Sequence, residues 1–499
     1  MSALRRIKGA FLAAFAVLLL CAQPTFTPPA QAQVDTTARG MAIQVLNKLP
    51  PDASPYSAIV AGLQQGQSQA LIAHSDSTAV SSYPTYYRWP YRTTACIAST
   101  VVPGIHAIER DYDDTNSNYF ADRVIQTGTT QRNGVAGQAG IKYPATPVIG
   151  RIMPTTRVKS IAGTAYPAND VDFRVHLLAA DWTATGANRA LISLYAASGQ
   201  RSWRLYLNSA NKLVFGYSVD GTTEISVGSA GTTPTLTAAQ AYWFRVTRVA
   251  LTDTVVLSYG TDNKTWTTLL SATGTAVASN LFSATANYAF GARTSNLDMW
   301  ANTTYYDVEI RDGIDGPVMN PQGIEQWQRA DVSTDTSLVV GSPTLYMINA
   351  SRSGANIAYL TDPSRFLKMI PPWDGATIYL SSSHNEFTDL GALYTASLSS
   401  WSTLLAARVP GASFIYVAQN PEISPGNKVE EQTKRTRQGI SYAFQRGWQT
   451  VDVNAAFLRD SRGLAALIEP SDGIHPNDPA GNLVWANTTC APFAARVAY

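Results

Sequence analysis

Ala70-Leu71-Ile72-Ala73, followed at once by His74-Ser75-Asp76-Ser77-Thr78, is the stretch on which the fold of this 499-residue chain turns. The apolar run has the length of a strand and shows no alternation, as expected of a strand buried on both faces. The polar run then places a serine at the strand's exit. Near the other end of the chain, Asp472-Gly473-Ile474-His475-Pro476-Asn477 sets a histidine three residues after an aspartate. A hydroxyl, a base that titrates near neutrality and an acid to orient that base are the parts of nucleophilic catalysis. Together the two segments read as those of a serine hydrolase.

Working outward, Thr344 to Ile348, Ala376 to Leu380 and Phe414 to Ala418 are further apolar runs of strand length. Leu390 to Arg408 and Val429 to Trp448 have the apolar spacing of helices that pack on a sheet. Buried strands alternating with helices imply an α/β domain with a mostly parallel sheet covered on both faces. Between these regions, from about Val171 to Ile310, the texture changes. Phe173 to Leu177, Ser202 to Leu207, Lys212 to Tyr217, Tyr242 to Val246 and Val255 to Tyr259 are short alternating runs. Turn signals such as Asp220-Gly221 and Thr261-Asp262-Asn263 separate them, which predicts an antiparallel sandwich inserted into the α/β domain.

Composition sets limits on partners and compartment. With 37 Lys and Arg against 35 Asp and Glu, a net charge of +2 and no long charge block, nothing favours a polyanion, and nucleic acid is not an expected partner. Arg5, Arg6 and Lys8 precede the apolar stretch Phe11 to Ala22, and Ala30-Gln31-Ala32 supplies a small-x-small cleavage site. A secretory signal peptide over residues 1–32, cut after Ala32, is the expectation. The apolar stretch is shorter than the ~20 residues of a spanning helix. Export leaves Cys96 and Cys490, which suit either one disulfide or two buried thiols.

In open α/β sheets the ligand site lies beyond the carboxyl ends of the strands. Ser77 follows the first strand, Asn349-Ala350-Ser351-Arg352-Ser353-Gly354 the Thr344 strand, and Ser381-Ser382-Ser383-His384-Asn385-Glu386 the Ala376 strand. With Asp472-x-x-His475 these segments resemble, in order, the four blocks of the SGNH, or GDSL, hydrolases, with Ser75 and Ser383 where that family usually has glycine. The resemblance implies a flavodoxin-like α/β/α hydrolase domain formed by residues 41–160 and 315–499. It further implies Ser77 as nucleophile, His475 as base and Asp472 as the orienting acid. The oxyanion hole would be made by the Ser77 and Gly354 backbone N–H groups and the Asn385 amide, with Asp76 and His384 lining the site. In that fold the helix after the nucleophile strand and the C-terminal helix cover one sheet face, which implies a Cys96–Cys490 disulfide.

The insert, about residues 163–314, resembles the concanavalin A-like, laminin G-like jelly rolls through Arg201-Ser202-Trp203, Tyr217-Ser218-Val219-Asp220-Gly221 and Thr261-Asp262-Asn263-Lys264-Thr265-Trp266. That resemblance implies a glycan-binding all-β sandwich, with Trp182, Trp203, Trp266 and Trp300 as candidate stacking residues. The five histidines, His74, His106, His176, His384 and His475, lack ligand spacing, and Asp111, Asp113 and Asp114 suit an acidic turn, so neither metal nor cofactor is expected. The combined expectation is a secreted serine esterase acting on O-acyl, acetyl or short-chain, esters of a polysaccharide. A lipid esterase of the same fold, or a catalytically impaired carbohydrate-binding or adsorption protein, is the alternative.

Overall fold

The first apolar run becomes β1 (Gln69–Ser75), in a sheet that continues with β2 (His106–Asp113), β3 (Asn118–Tyr119), β4 (Arg123–Gln126), β5 (Thr344–Asn349), β6 (Thr377–Ser381), β7 (Ser413–Ala418) and β8 (Gln449–Asp452). The computed structural model describes residues 54–80, 88–115, 118–119, 122–142, 152–153, 170–183, 186–284, 288–291, 300, 302–320, 322–326, 338–386, 391–423 and 429–496. The expected signal peptide, residues 1–32, lies outside them. The strand order is β8-β7-β6-β1-β5-β2-β3, with β4 also paired to β2. The six strands from β8 to β2 are parallel, and β3 and β4 run antiparallel at the edge. β1 thus lies between β5 and β6, with Ala73 opposite Asn349 and Ser75 opposite Ser381.

Successive residues of β1 supply opposite faces of this sheet, because side chains along a strand alternate. Leu71 and Ala73 join one core with α1 (Pro55–Gln64), α2 (Trp89–Cys96) and α5 (Ala480–Ala494). Ala70 and Ile72 join the other, with α3 (Ala392–Arg408) and α4 (Val429–Gln445). The result is a three-layer α/β/α arrangement. On the first face Trp89 stacks on Trp485 with ring centroids 5.4 Å apart, and a Cys96–Cys490 disulfide joins α2 to α5. Among the described residues, no helix is long and apolar enough to cross a membrane.

β2 departs from the apolar pattern of its neighbours. Glu109, Arg110, Asp111 and Asp113 are all buried within it, and each charge has partners. Arg123 bridges Glu109 at 2.8 Å and Asp111 at 3.1 Å, Arg88 reaches Asp111 at 3.2 Å, and Arg110 pairs with Asp122 and Asp307. Burial, with the Asp111 charge adding to it, pushes the Glu109 carboxyl up to about 8, against the opposing pull of Arg123 and Arg88.

The antiparallel texture becomes two facing sheets. One runs in the order 225–227, 213–217, 201–207, 189–195, 288–290, 152–153; the other runs 267–273, 254–260, 242–249, 171–179, 303–312, 140–142, 338–340. Strands from outside residues 163–314 therefore complete both sheets. Their shared core includes Phe173, Trp203, Phe215, Phe244 and Leu257. Trp203 stacks on Phe173 at 3.8 Å, and Trp182 meets Trp300 edge to face at 5.4 Å. Trp182, Trp203 and Trp300 are 5%, 1% and 4% exposed, which corrects the expectation that they offer ring faces to a sugar: packing the sandwich consumes them. Trp266 alone of the four stays half-buried at the surface.

Candidate active site

β1 ends at Ser75, and the chain turns immediately into a single 3-10 turn, Ser77–Ala79, capped by Asp76. The Asp76 carboxylate accepts from the Thr78 N–H at 3.0 Å and the Thr78 hydroxyl at 2.9 Å, satisfying a donor that a helical start leaves orphaned. Ser77, 6% exposed, opens this turn. The Ala79 carbonyl accepts from Asn349 Nδ2 at 3.1 Å, and the same amide donates to Asp111 at 3.0 Å. The turn is thereby tied to the ends of β5 and β2.

The glycine-containing loop after β5 lies against β1. Ser351 Oγ donates to the Ala73 carbonyl at 3.0 Å, and Arg352 N donates to the Ser75 carbonyl at 3.0 Å. Gly354 has φ +73°, a conformation that favours glycine, and a Cβ there would meet nothing within 4 Å, so the loop borders open space. Ser75 and Ser383 are absent from the left-handed region, so the backbone needs no glycine at either position. Asn385 Nδ2 donates to the Ala355 carbonyl at 3.1 Å, which holds the amide beside the glycine turn. A carboxamide nitrogen carries two protons, so one remains for a substrate oxygen.

His475 Nδ1 meets Asp472 Oδ2 at 2.5 Å. The other oxygen of that carboxylate accepts from the Ile474 and His475 N–H groups at 2.8 and 3.0 Å, which fixes the acid beneath the ring. Burial works against ionisation of Asp472, but the bonds from the ring and backbone outweigh it and hold the carboxyl below its ordinary value. With the ring proton on Nδ1 facing Asp472, neutral His475 presents Nε2 as an acceptor, the tautomer that general-base catalysis requires.

Two residues that sequence reasoning missed join these segments. Gln419 and Asn420 follow β7 and are fully buried. Gln419 Nε2 donates to both Asp76 oxygens at 2.9 and 2.8 Å, while its Oε1 accepts the Ser383 and His384 N–H groups at 2.6 and 2.9 Å. Asn420 donates to the Ile474 carbonyl at 2.8 Å, accepts from Trp485 Nε1 at 3.0 Å, and its carbonyl lies 2.8 Å from His384 Nε2. His384 is thus held by backbone and belongs to the site's support. The turns bearing Ser77, Asn385 and His475 are linked through these two side chains. The signal available in the sequence was a polar Gln-Asn pair directly after the apolar run Phe414 to Ala418.

Gln419→Ala should reduce stability by about 3 kcal/mol, since it strips the Nε2 donor from a buried carboxylate, leaving only Thr78 to donate to it, and leaves the Ser383 and His384 N–H groups unsatisfied. Denaturant unfolding checks this, and a wild-type midpoint would refute the bridging role. Three other titratable groups stay passive. Burial lowers His74 to about 3, His106 to about 4 and His176 to about 3, so all three remain neutral near pH 7. Among the described residues, no group of His, Cys, Asp and Glu forms a metal-binding cluster. Asp111 and Asp114 are instead taken up by Arg88, Arg123 and Arg352.

No family model and no curated protein matches this chain. Solved structures similar to it include a peptidoglycan O-acetylesterase, at 9% identity over 90% of this chain and 97% of that one, with a TM-score of 0.38. A singly substituted variant of an acetyl xylan esterase from Geobacillus stearothermophilus is 19% identical over 30% of this chain and 73% of that one, with a TM-score of 0.24. The carbohydrate-binding module of a Ruminococcus gnavus sialidase, bound to sialyllactose, is 10% identical over 37% of this chain and 92% of that one, with a TM-score of 0.25.

Proposed function

We propose that this protein is a serine esterase of the SGNH type that removes acetyl or short acyl groups from a polysaccharide. The observation that carries the reading is the Asp472–His475 pair at 2.5 Å, on a loop tied through Asn420 and Gln419 to the turn bearing Ser77. His475 Nε2 accepts the Ser77 proton as Oγ attacks the ester carbonyl. The developing oxyanion takes hydrogen bonds from the Ser77 and Gly354 N–H groups and from Asn385. His475 then protonates the departing alcohol, and water, activated by the same ring, releases the acid and frees the serine. On this reading residues 41–160 and 315–499 supply the catalytic part, and residues 163–314, completed by strands 140–142, 152–153 and 338–340, form a glycan-binding jelly roll. The protein is exported after loss of residues 1–32, in keeping with a disulfide, which persists in oxidising compartments.

The test is hydrolysis of p-nitrophenyl acetate, butyrate and octanoate by metal-free mature protein. Acetate should be turned over fastest. Preference for octanoate would favour a lipid esterase, and no turnover of any ester would overturn the reading. Asn385→Ala is expected to lower kcat by about 100-fold or more with little change in KM, because the donor acts mainly in the transition state. An unchanged kcat would remove Asn385 from the oxyanion hole.

A further inference from the structure

A cleft of about 230 Å³ opens between the α/β part and the sandwich. Asp113 and Asn118, at the facing ends of β2 and β3, form one wall. Arg245, Lys264, Trp266 and Asp315 form the other. The volume is below that of drug-sized ligand pockets and suits one ring-sized group of a longer ligand.

The lining chemistry narrows the ligand. Two cations face two carboxylates, so the cleft is charge-balanced and offers a charged ligand no net attraction. Trp266 supplies a flat apolar surface. Its ring is braced by the Arg174 and Arg245 guanidinium groups, 5.4 and 5.3 Å from its centroid, and these are themselves fixed by Asp172 and Asp315. A held aromatic loses little entropy on binding. Around it stand carboxylate acceptors and guanidinium and ammonium donors within one small volume. A ring with an apolar face and hydroxyls around its rim uses both sets of groups.

Hydrogen bonds and an ion pair link the Asp113 wall of the cleft to the loop that bears Gly354. Asp114, next to Asp113, accepts from Tyr359 at 2.6 Å and pairs at 3.1 Å with Arg352, which sits in the Gly354 loop and donates to the Ser75 carbonyl. Two residues before Asp113, Asp111 holds the amide that anchors the nucleophile turn. We propose that this cleft binds one unit of an uncharged polysaccharide chain whose acylated neighbours then reach Ser77. The binding claim stands on the cleft alone; what the bound chain presents rests on the esterase reading.

The test is affinity electrophoresis of Ser77→Ala protein, which cannot consume its ligand, against acetylated xylan, acetylated glucomannan and soluble chitooligosaccharides, with polygalacturonate as the anionic control. At least one neutral chain should retard the protein, and adding Trp266→Ala should weaken that binding by tenfold or more at an unchanged melting temperature. Should that variant fail to fold, Lys264→Ala, at an exposed position, should weaken binding by threefold or more. Wild-type binding by the folded variant, retardation by polygalacturonate alone, or no binding at all would overturn the proposal. Retardation by a neutral chain in a protein whose wild type hydrolyses no ester would sink the esterase reading and leave the cleft standing.

Discussion

Ser77→Ala is expected to lower kcat on p-nitrophenyl acetate by roughly ten-thousand- to million-fold, a loss of about 5 to 8 kcal/mol of transition-state stabilisation. On the proposed mechanism the reason is the loss of the attacking atom itself. Without Oγ, His475 has no proton to accept from the enzyme, and only the oxyanion donors and substrate binding remain to accelerate attack by water. The substitution should leave the turn in place. Asp76 holds it through Thr78, the Ala79 N–H reaches the Asp76 carbonyl at 3.2 Å, and Asn349 anchors the Ala79 carbonyl, so none of these bonds uses the hydroxyl. A melting temperature close to wild type should therefore accompany the loss. A fluorophosphonate should label the wild-type protein at Ser77, as peptide mass spectrometry would read, and should not label the variant. Near-normal hydrolysis after Ser77→Ala, or stoichiometric labelling at another serine, would place the nucleophile elsewhere. Asp472→Asn offers a graded comparison, with an expected loss of about ten-thousand-fold, since the ring would keep its place but favour the wrong tautomer.

How far this site was legible in the sequence depended on burial. β1, β5, β6 and β7 are central strands covered on both faces, so their residues form unbroken apolar runs and announce themselves. β2 stayed hidden because its buried positions carry Glu109, Arg110, Asp111 and Asp113. Only the arginines, lysine and aspartates that three-dimensional folding brings to them make those charges tolerable. Asp472-x-x-His475 could be read locally, because the acid and base sit three residues apart on one loop. Gln419 could not be read in that way: its role lies in partners some 340 residues distant, and no local pattern marks a glutamine as a bridge. The tryptophans of the sandwich show the opposite error. Alternation located the strand of Trp203 but does not say which face turns inward, and Trp182 and Trp300 lie outside the strands, where no period applies; all three prove to be core.

Removing the Cys96–Cys490 bond, by reduction or by the double substitution Cys96→Ala with Cys490→Ala, is expected to produce the largest single change in stability. The two cysteines are 394 positions apart, and for a loop of that length the chain-entropy account gives about 6 kcal/mol as an upper expectation. The bond closes nearly the whole compact unit that runs from Pro51 to Tyr499. It also joins α2, which follows the Ser77 turn, to α5, which follows the Asp472–His475 loop. Its loss therefore loosens the contact that keeps the two halves of the α/β part together across the inserted sandwich. The surrounding packing will return part of the loss: Trp89 on Trp485, the Thr93–Thr489 hydroxyl pair at 2.5 Å and Tyr56 against Phe493 at 4.8 Å all cross the same seam. For cooperative unfolding of a unit this size, about 6 kcal/mol corresponds to a fall of about 6 °C in Tm. Differential scanning calorimetry with and without a phosphine reductant measures it, with alkylation and intact mass confirming that both thiols are free. Because α5 carries Trp485, whose indole orients Asn420 and through it the His475 loop, esterase activity should decline at a lower temperature in the reduced protein. A fully reduced protein that melts and loses activity at the same temperatures as the oxidised one would show that packing alone holds the seam, and that the bond adds nothing to the site's integrity.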